Sequence, residues 1–200
     1  MPRVIPVLRE GRKALRDLNL LKVLQSEIKD ELSSDPFQNK QNGSPGDFKV
    51  EWESPESKDV VLRRKCKSGE EVAVSALLGP VIFERDGIFP RDVLMKVCVK
   101  KPGMSPMLQF NCNVFEKHNS GFEFDIYSAY YLQSPRCLGS SVYRGPLFSD
   151  LDPQLQVALK EYLVAKGIGE GLTNFLFFYL NKREQGQYVN WLKRLESFVA

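Results

Sequence analysis

The sequence predicts an α+β fold in which one helix precedes an antiparallel sheet and further helices follow it. Two observations carry this prediction: apolar residues recur every three or four positions near both ends of the chain, and they alternate with polar residues in its middle. The order of helix, strands and helices excludes a repeated βαβ unit. With 200 residues, 42% hydrophobic and 26% charged, the chain has the composition of a globular protein that buries a core.

The chain begins with a basic segment. Residues 1–16 contain five Arg and Lys side chains against Glu10 alone. Arg-rich, acid-poor segments are typical of mitochondrial targeting sequences, whereas Pro2, Pro6 and the lack of serine favour a short disordered arm. Both interpretations stay open for residues 1–16, and residues 17–200 are assigned to a single domain.

A first helix is predicted to follow Asp17, which suits the N-cap position. Residues 33–46 are rich in Pro, Gly and amides and indicate a flexible linker. A helix in front of a linker needs another surface on which to bury its apolar stripe. That stripe consists of Leu18, Leu21, Leu24, Ile28 and Leu32.

The middle of the chain, from Phe48 to Phe148, alternates with period two. Clusters of Gly, Pro, Ser and Asn separate the alternating runs. Short strands joined by tight turns predict an antiparallel meander of six or seven strands with one solvated face. The apolar positions are Phe48, Val50 and Trp52; Val72 and Val74; Val93, Met95, Val97 and Val99; Leu108, Phe110, Cys112 and Val114; and Phe122, Phe124 and Ile126.

The C-terminal quarter is predicted to be helical. Asp152 suits an N-cap, Pro153 the first helical position and Gly167 a left-handed C-cap. Residues 175–180 are apolar on every face of a second helix, so one chain's sheet should cover only part of them. The helix that begins at Pro153 is predicted to bury Leu155, Leu159, Tyr162 and Leu163. A third and final helix carries Tyr188, Trp191, Leu192, Leu195, Phe198 and Val199.

No catalytic, metal or cofactor constellation is recognised. His118, the single histidine, lies beside a probable hairpin turn without a nucleophile near it, and residues 167–171 indicate helix-capping turns rather than a phosphate loop. No uncharged stretch approaches the roughly 20 apolar residues of a membrane span. We therefore expect neither an enzyme nor a membrane-spanning protein. The cysteines Cys66, Cys98, Cys112 and Cys137 form no CxxC pair, which excludes a zinc cluster and a dense disulfide framework. No signal peptide is recognised, so we expect reduced thiols in an intracellular compartment, with Cys98 and Cys112 as small buried hydrophobes.

Basic residues occur in three short clusters. Such clusters can bind phosphates, but they more often belong to solvated faces. Strand alternation places Arg64 on the face opposite Arg63 and Lys65, so the first cluster does not form one patch. The clusters are Arg63, Arg64, Lys65 and Lys67; Lys100 and Lys101; and Lys193 and Arg194.

A long ordered series of motifs begins at Gly145. With it the chain resembles the mitochondrial glycoprotein, or mitochondrial acidic matrix protein, family, whose animal member was described as a receptor for the globular heads of a complement component. Leu21, Leu24, Glu27 and Ile28 of the first helix are also similar to the family's. The series consists of Gly145-Pro146, Phe148-Ser149-Asp150-Leu151-Asp152, Leu155-Gln156, Tyr162-Leu163, Gly167-Ile168, Thr173-Asn174-Phe175-Leu176, Tyr188 through Trp191-Leu192-Lys193, and Phe198-Val199.

The resemblance implies a twisted antiparallel sheet of about seven strands, flanked by one N-terminal and two or three C-terminal helices. It also implies a doughnut-shaped homotrimer and a non-enzymatic scaffold or chaperone-like protein of the mitochondrial matrix, which supports organellar gene expression and oxidative phosphorylation. The unburied stripes predicted above require the same extra burial, which a closed oligomer supplies. The expected interface residues are Leu21, Leu24, Ile28, Phe177, Phe178, Trp191 and Leu195.

Two features depart from the family's pattern. Its members are typically strongly acidic, whereas this chain has a net charge of +3 and mixed charges in the loop expected at residues 79–92. Phe177 and Phe178 stand where the family usually has polar residues, which predicts a more apolar contact. The lost acidity and the basic clusters support an alternative function, an RNA-associated factor in organellar RNA processing or ribosome assembly.

Overall fold

The structure is a computed structural model that describes residues 4–34, 43–80, 83–84, 87–88, 91–117, 121–134 and 142–200. For residues 4–17, 83–84 and 87–88 it describes the backbone alone. The chain divides into two units. Met1–Lys40 with Lys182–Ala200 form the first, here called the hairpin unit, and Gln41–Asn181 form the second, the sheet unit.

The first helix, α1, spans Val4–Ser33 without interruption. The prediction that it starts after Asp17 is therefore wrong, because Asp17 lies inside the helix. Pro6 is compatible with the earlier start, since it falls in the first turn, where backbone N–H groups have no partner within the helix. Pro2 lies outside the described residues.

The main sheet of the sheet unit is antiparallel throughout, with strand order β1-β2-β3-β6-β7-β8. It contains six strands among the described residues, the lower of the two numbers predicted and one fewer than the resemblance implied. The segment from Phe48 to Phe148, in which the strands were predicted, ends instead in a 3-10 turn at Phe148–Asp150. The strands are β1 Lys49–Glu53, β2 Val60–Lys65, β3 Glu71–Leu78, β6 Val93–Lys100, β7 Met107–Glu116 and β8 Phe122–Leu132.

A separate two-stranded hairpin lies between β3 and β6. Its strands are β4 Phe83–Glu84 and β5 Gly87–Ile88. The sequence predicted a loop over residues 79–92, so this short pairing was missed. Two-residue strands are too short to show the alternation on which strand prediction depends.

One face of the main sheet forms the core. The register pairs Val74 with Val97 and Val97 with Phe110, and each of these side chains is at most 1% exposed. The intervening residues of β3 are half-buried, so the strands show the predicted alternation between a buried and a more open face. Burying one such side chain contributes about 1.5–3 kcal/mol, and the central strands carry most of this gain.

Two helices of the sheet unit cover the buried face. Helix α2 spans Pro153–Ala165 and α3 spans Glu170–Val199, continuing into the hairpin unit. Two separate helices were predicted where α3 is continuous. The caps of α2 are as predicted: the Asp152 carboxylate accepts from the Gln154 N–H at 2.8 Å, and Gly167 ends the helix with φ of +90°.

Polar contacts fix the start of α3 on the β7–β8 turn. The Thr173 hydroxyl donates to the Phe122 carbonyl at 2.5 Å, and the Asn174 side-chain oxygen accepts from the Phe122 N–H at 2.9 Å. The Phe122 ring stacks on Phe177 with centroids 3.9 Å apart. On α2, Tyr162 packs against Phe110 at 6.4 Å, but the predicted burial of Leu155 is wrong, because that side chain is 45% exposed.

An ion pair connects the end of α2 to the β2–β3 turn. The Lys166 ammonium binds the Glu70 carboxylate, which also accepts from the Ser68 hydroxyl at 3.2 Å. Both charged side chains are largely buried, at 16% and 11% exposed. The hydrogen bond from Lys166 lowers the pKa of Glu70, and the same bond raises the pKa of Lys166. The pair therefore stabilises the charged form of both groups.

Replacing Gly167 with alanine should destabilise the protein. The residue has positive φ, and an added Cβ would collide with the guanidinium of Arg64, which donates to the Lys166 carbonyl at 3.1 Å. We expect the free energy of unfolding, measured in urea, to fall by about 2 kcal/mol or more. Gly169→Ala is the matched control, because no atom lies within 4 Å of a Cβ there. Equal losses in the two variants would contradict this account.

Glu70→Gln should remove a pH-dependent part of the stability. Because the pKa of Glu70 is lowered, its contribution is complete above its ordinary value of 4.5 and is lost as pH falls through the lowered value. The variant should lose about 1–3 kcal/mol at neutral pH and show a weaker decline in acid. Glu71→Gln, which removes the half-exposed partner of Arg63, should cost less than about 1 kcal/mol. If the free energy of unfolding of Glu70→Gln declined in acid as steeply as that of the wild type, the role assigned to Glu70 would be refuted.

Candidate functional site

The hairpin unit is an antiparallel pair formed by α1 and the last part of α3. Leu24 and Ile28 of α1 are buried against Leu192 of α3. Leu195 and Val199 pack around this cluster and are partly buried. Of the stripe predicted on the first helix, Leu24 and Ile28 are therefore buried by the same chain, Leu21 is half-buried, and Leu18 and Leu32 are exposed.

Two side-chain hydrogen bonds border this core. The Gln25 amide donates to the Glu196 carboxylate at 3.0 Å, and the Tyr188 hydroxyl donates to Glu27 at 3.0 Å. The bond to Glu27 raises the pKa of Tyr188. The residue numbers rise in one helix as they fall in the other, which is the order of an antiparallel pair.

Several large apolar side chains of the hairpin unit remain exposed, and we call this set the hairpin surface. Trp191 is 54% exposed and stacks on Tyr188 with centroids 5.9 Å apart, and Phe198 is 89% exposed. Isolated apolar residues are normal on protein surfaces, whereas contiguous exposed apolar patches mark interaction surfaces. The other members are Leu18, Leu20, Val23 and Leu32.

Phe177 and Phe178 are buried within the sheet unit. Each is 8% exposed. Phe122 stacks on Phe177 and meets the edge of Phe178 at 5.8 Å. The premise that one chain could not cover them is therefore wrong. The sequence showed apolar residues on every face of this helix but not that Phe122, the first residue of β8, would reach them.

The predicted interface residues thus fall into three groups. Leu24, Ile28, Phe177 and Phe178 are covered by their own chain, Leu21 and Leu195 are half-buried, and Trp191 is exposed. Trp191 and the other exposed members of the hairpin surface are the side chains that still lack burial within their own chain. The interface itself stays a prediction.

A groove of about 520 Å³ lies along strand β8, between it, the 3-10 turn and α2. Ile126 and Phe148 form its buried wall, and Tyr127, Leu147 and Val157 are exposed along it. At one end the Lys160 ammonium pairs with the Asp125 carboxylate at 2.9 Å. Its volume and apolar lining suit an apolar side chain of a partner. Sequence reasoning missed this groove, because its residues come from three separate segments.

The thiols of the sheet are poorly suited to redox or nucleophilic chemistry. Burial raises the pKa of Cys112 to about 12 and also raises that of Cys98. A reactive cysteine needs a stabilised thiolate, which is the opposite effect. Cys112 is buried, whereas Cys98 is half-buried on the more open face of the sheet, so only Cys112 behaves as a small buried hydrophobe. Cys137 lies outside the described residues.

The described part of the chain contains neither a candidate metal site nor a candidate membrane span. No group of three or more His, Cys, Asp or Glu residues there could hold a metal ion. None of its helices is both long enough and apolar enough to cross a membrane. His118 lies outside the described residues.

Three comparisons relate the chain to known proteins. The profile of the mitochondrial glycoprotein family, MAM33, matches residues 91–199. An uncharacterized mitochondrial protein of Arabidopsis thaliana is 26% identical over 191 residues, which cover 90% of this chain and 74% of the relative. The mitochondrial acidic protein mam33 of Schizosaccharomyces pombe is 30% identical over 111 residues, covering 50% of this chain and 39% of that protein.

Solved structures share the fold. The p22 protein of Trypanosoma brucei superposes with a TM-score of 0.72 at 20% identity, covering 93% of this chain and all of the other. A hypothetical protein from Leishmania major, described as a sequence homologue of human p32, gives 0.71 at 18% identity and covers 92% and 99%. The family profile spans more than half of the chain and includes the C-terminal motif series. The chain therefore belongs to the mitochondrial glycoprotein family.

Proposed function

We propose that this protein is a homotrimeric, non-enzymatic scaffold or chaperone-like protein of the mitochondrial matrix. It binds protein partners and in this way supports organellar gene expression and oxidative phosphorylation. Family membership and the mitochondrial names of both relatives support the compartment. The observation that carries the assembly is the hairpin surface, which leaves large apolar side chains exposed on a pair of helices.

Burial of the hairpin surface is the physical reason for the trimer. A pair of helices held by a small core is marginal by itself, because most helix stability in proteins comes from packing of the apolar face. Covering Trp191 and Phe198 on neighbouring copies would contribute about 1.5–3 kcal/mol for each side chain. Leu21 and Leu195, which are half-buried, would extend the same contact.

Partner binding would use apolar contact more than charge. The chain carries a net charge of +3, so it lacks the acidity after which the fission-yeast relative is named. The groove along β8 exposes Tyr127, Leu147 and Val157. An extended or helical segment of a client protein could place an apolar side chain there.

A second candidate function is association with RNA or ribosomes. It is favoured by one specific observation: the turns that follow β2 and β6 meet at the same end of the main sheet, and exposed lysines lie in both turns and in the strand residues before them. In this role the protein would act in organellar RNA processing or ribosome assembly.

Light scattering coupled to size exclusion should give three times the chain mass of 22.8 kDa. Trp191→Glu should shift the protein toward smaller species, because it places a charge in the proposed contact. Asn190→Glu, on the neighbouring exposed position, is the matched control and should leave the mass unchanged. A wild-type protein that elutes as a monomer at all concentrations would remove the trimer.

A fluorescent reporter fused to residues 1–40 should accumulate in the mitochondrial matrix. The basic start of the chain supplies the charge that import requires. Replacing Arg3, Arg9, Arg12, Lys13 and Arg16 with Gln in the same fusion should leave the reporter in the cytosol. Cytosolic fluorescence of the unaltered fusion, together with cytosolic full-length protein, would contradict the matrix assignment.

A further inference from the structure

Two hairpin turns meet at one end of the main sheet. The β2–β3 turn holds residues 66–70 and the β6–β7 turn holds residues 101–106. They are in contact, because a Cβ added to Gly69 would lie 3.3 Å from Cγ of Pro102. Each turn, together with the last residue of the strand before it, carries a pair of exposed lysines, and we call the four together the lysine end. Its members are Lys65, Lys67, Lys100 and Lys101.

The carboxylates nearest to the lysine end already have other partners. Glu70 binds Lys166 and accepts from Ser68. Glu71, which lies between Lys65 and Lys100 in the register, contacts Arg63 at 3.4 Å. Among the described residues, no carboxylate lies within 4.0 Å of any of the four lysine ammonium groups. Lys101 helps to lower the pKa of Glu70 through space. The four lysines outnumber the two carboxylates Glu70 and Glu71, so the charge at this end is positive.

The lysine end continues onto the more open face of the sheet. Lys96 is exposed there about 13 Å from Lys100 along β6, and its cross-strand neighbours are the uncharged Ser75 and Asn111. Asn111 in turn donates to the Ser128 hydroxyl at 2.8 Å. This part of the face therefore offers amide and hydroxyl groups beside one exposed positive charge.

An exposed aromatic ring stands at the edge of the same row. Trp52 of β1 pairs with Val61, which pairs with Ser75, and Ser75 pairs with Lys96. The Trp52 side chain is 46% exposed. Aromatic rings beside a basic track are the elements that proteins use to stack bases of single-stranded nucleic acids.

We propose that the lysine end and the adjoining row from Trp52 to Asn111 bind single-stranded RNA. The lysines contact phosphates, the amides and hydroxyls contact base edges, and Trp52 stacks on a base. An anionic membrane surface also attracts lysines, but binding to it usually adds several inserted apolar side chains. Among the described residues at the lysine end, Met104 is the one large hydrophobic side chain that is exposed. The proposal rests on the second candidate function above.

The proposal is tested with a fluorescein-labelled single-stranded RNA of about 20 nucleotides. Its anisotropy is measured with the full-length protein between about 0.05 and 0.2 M salt. The variant K65Q/K67Q/K100Q/K101Q should bind about 100-fold more weakly at the low end of this range, and its salt slope should be smaller by about 3. Circular dichroism and light scattering confirm that fold and mass are kept.

The matched control removes the same number of charges elsewhere. K22Q/K29Q/K58Q/K193Q changes four other exposed lysines and gives the same net charge. Its affinity should stay within about threefold of the wild type, since it leaves the local phosphate contacts intact. An equal loss in both variants would show a general charge effect and overturn the site.

Tryptophan emission supplies a second readout for the sheet face. The chain has two tryptophans, Trp52 and Trp191. RNA should quench the emission of the wild type, and Trp52→Phe should abolish this quenching while it keeps Trp191. Unchanged quenching in Trp52→Phe would exclude stacking at this position.

The remaining outcomes separate the site from the function. RNA binding that is unaffected by the four lysine substitutions would overturn the site and leave the RNA-associated function standing. If the wild type binds no RNA, both are overturned. Lysine-dependent sedimentation with phosphatidylglycerol vesicles in that case would assign the lysine end to a membrane surface instead.

Discussion

Burial of one face of the six-stranded sheet constrains the rest of the sheet unit. A shift of one residue in the register would move the row of Val74, Val97 and Phe110 from the core to the open face, at a cost of several kcal/mol. The same register determines which residues share the other face. It aligns Lys65 and Lys100 on either side of Glu71. Packing on one side of the sheet thus positions the charges on the other.

Much of this fold could be predicted, because its signals are local. Alternation gave the strands of the core, and Asp152 and Gly167 marked the ends of α2 as the structure has them. The errors in the helices concern their continuity. Gly186 lies inside α3, and one glycine within a helix costs about 1 kcal/mol. Burial of Val189 and Leu192 in the turns that follow stabilises the continuous helix by more than this. Local signals cannot show that balance.

Surface assignments were harder to predict, since they depend on contacts between distant segments. Phe177 and Phe178 are as apolar as Trp191, yet Phe122 covers the first two and Trp191 is exposed. The lysines pose the same difficulty. Lys65 and Lys100 belong to separate clusters in the sequence, and only strand pairing with Glu71 brings them to one end of the sheet.

The hairpin surface and the lysine end differ in chemistry, so the two proposed contacts should respond to salt in opposite ways. The hairpin surface is apolar, and association through it is weakly screened and is strengthened by salts excluded from the surface. Phosphate contacts at the lysine end release counterions, so salt weakens them steeply. Raising the salt concentration should therefore strip a polyanion from the protein while the oligomer persists. If the polyanion and the oligomer were instead lost at the same salt concentration, assembly would create the binding surface. Lysines of neighbouring copies would then bind the polyanion jointly.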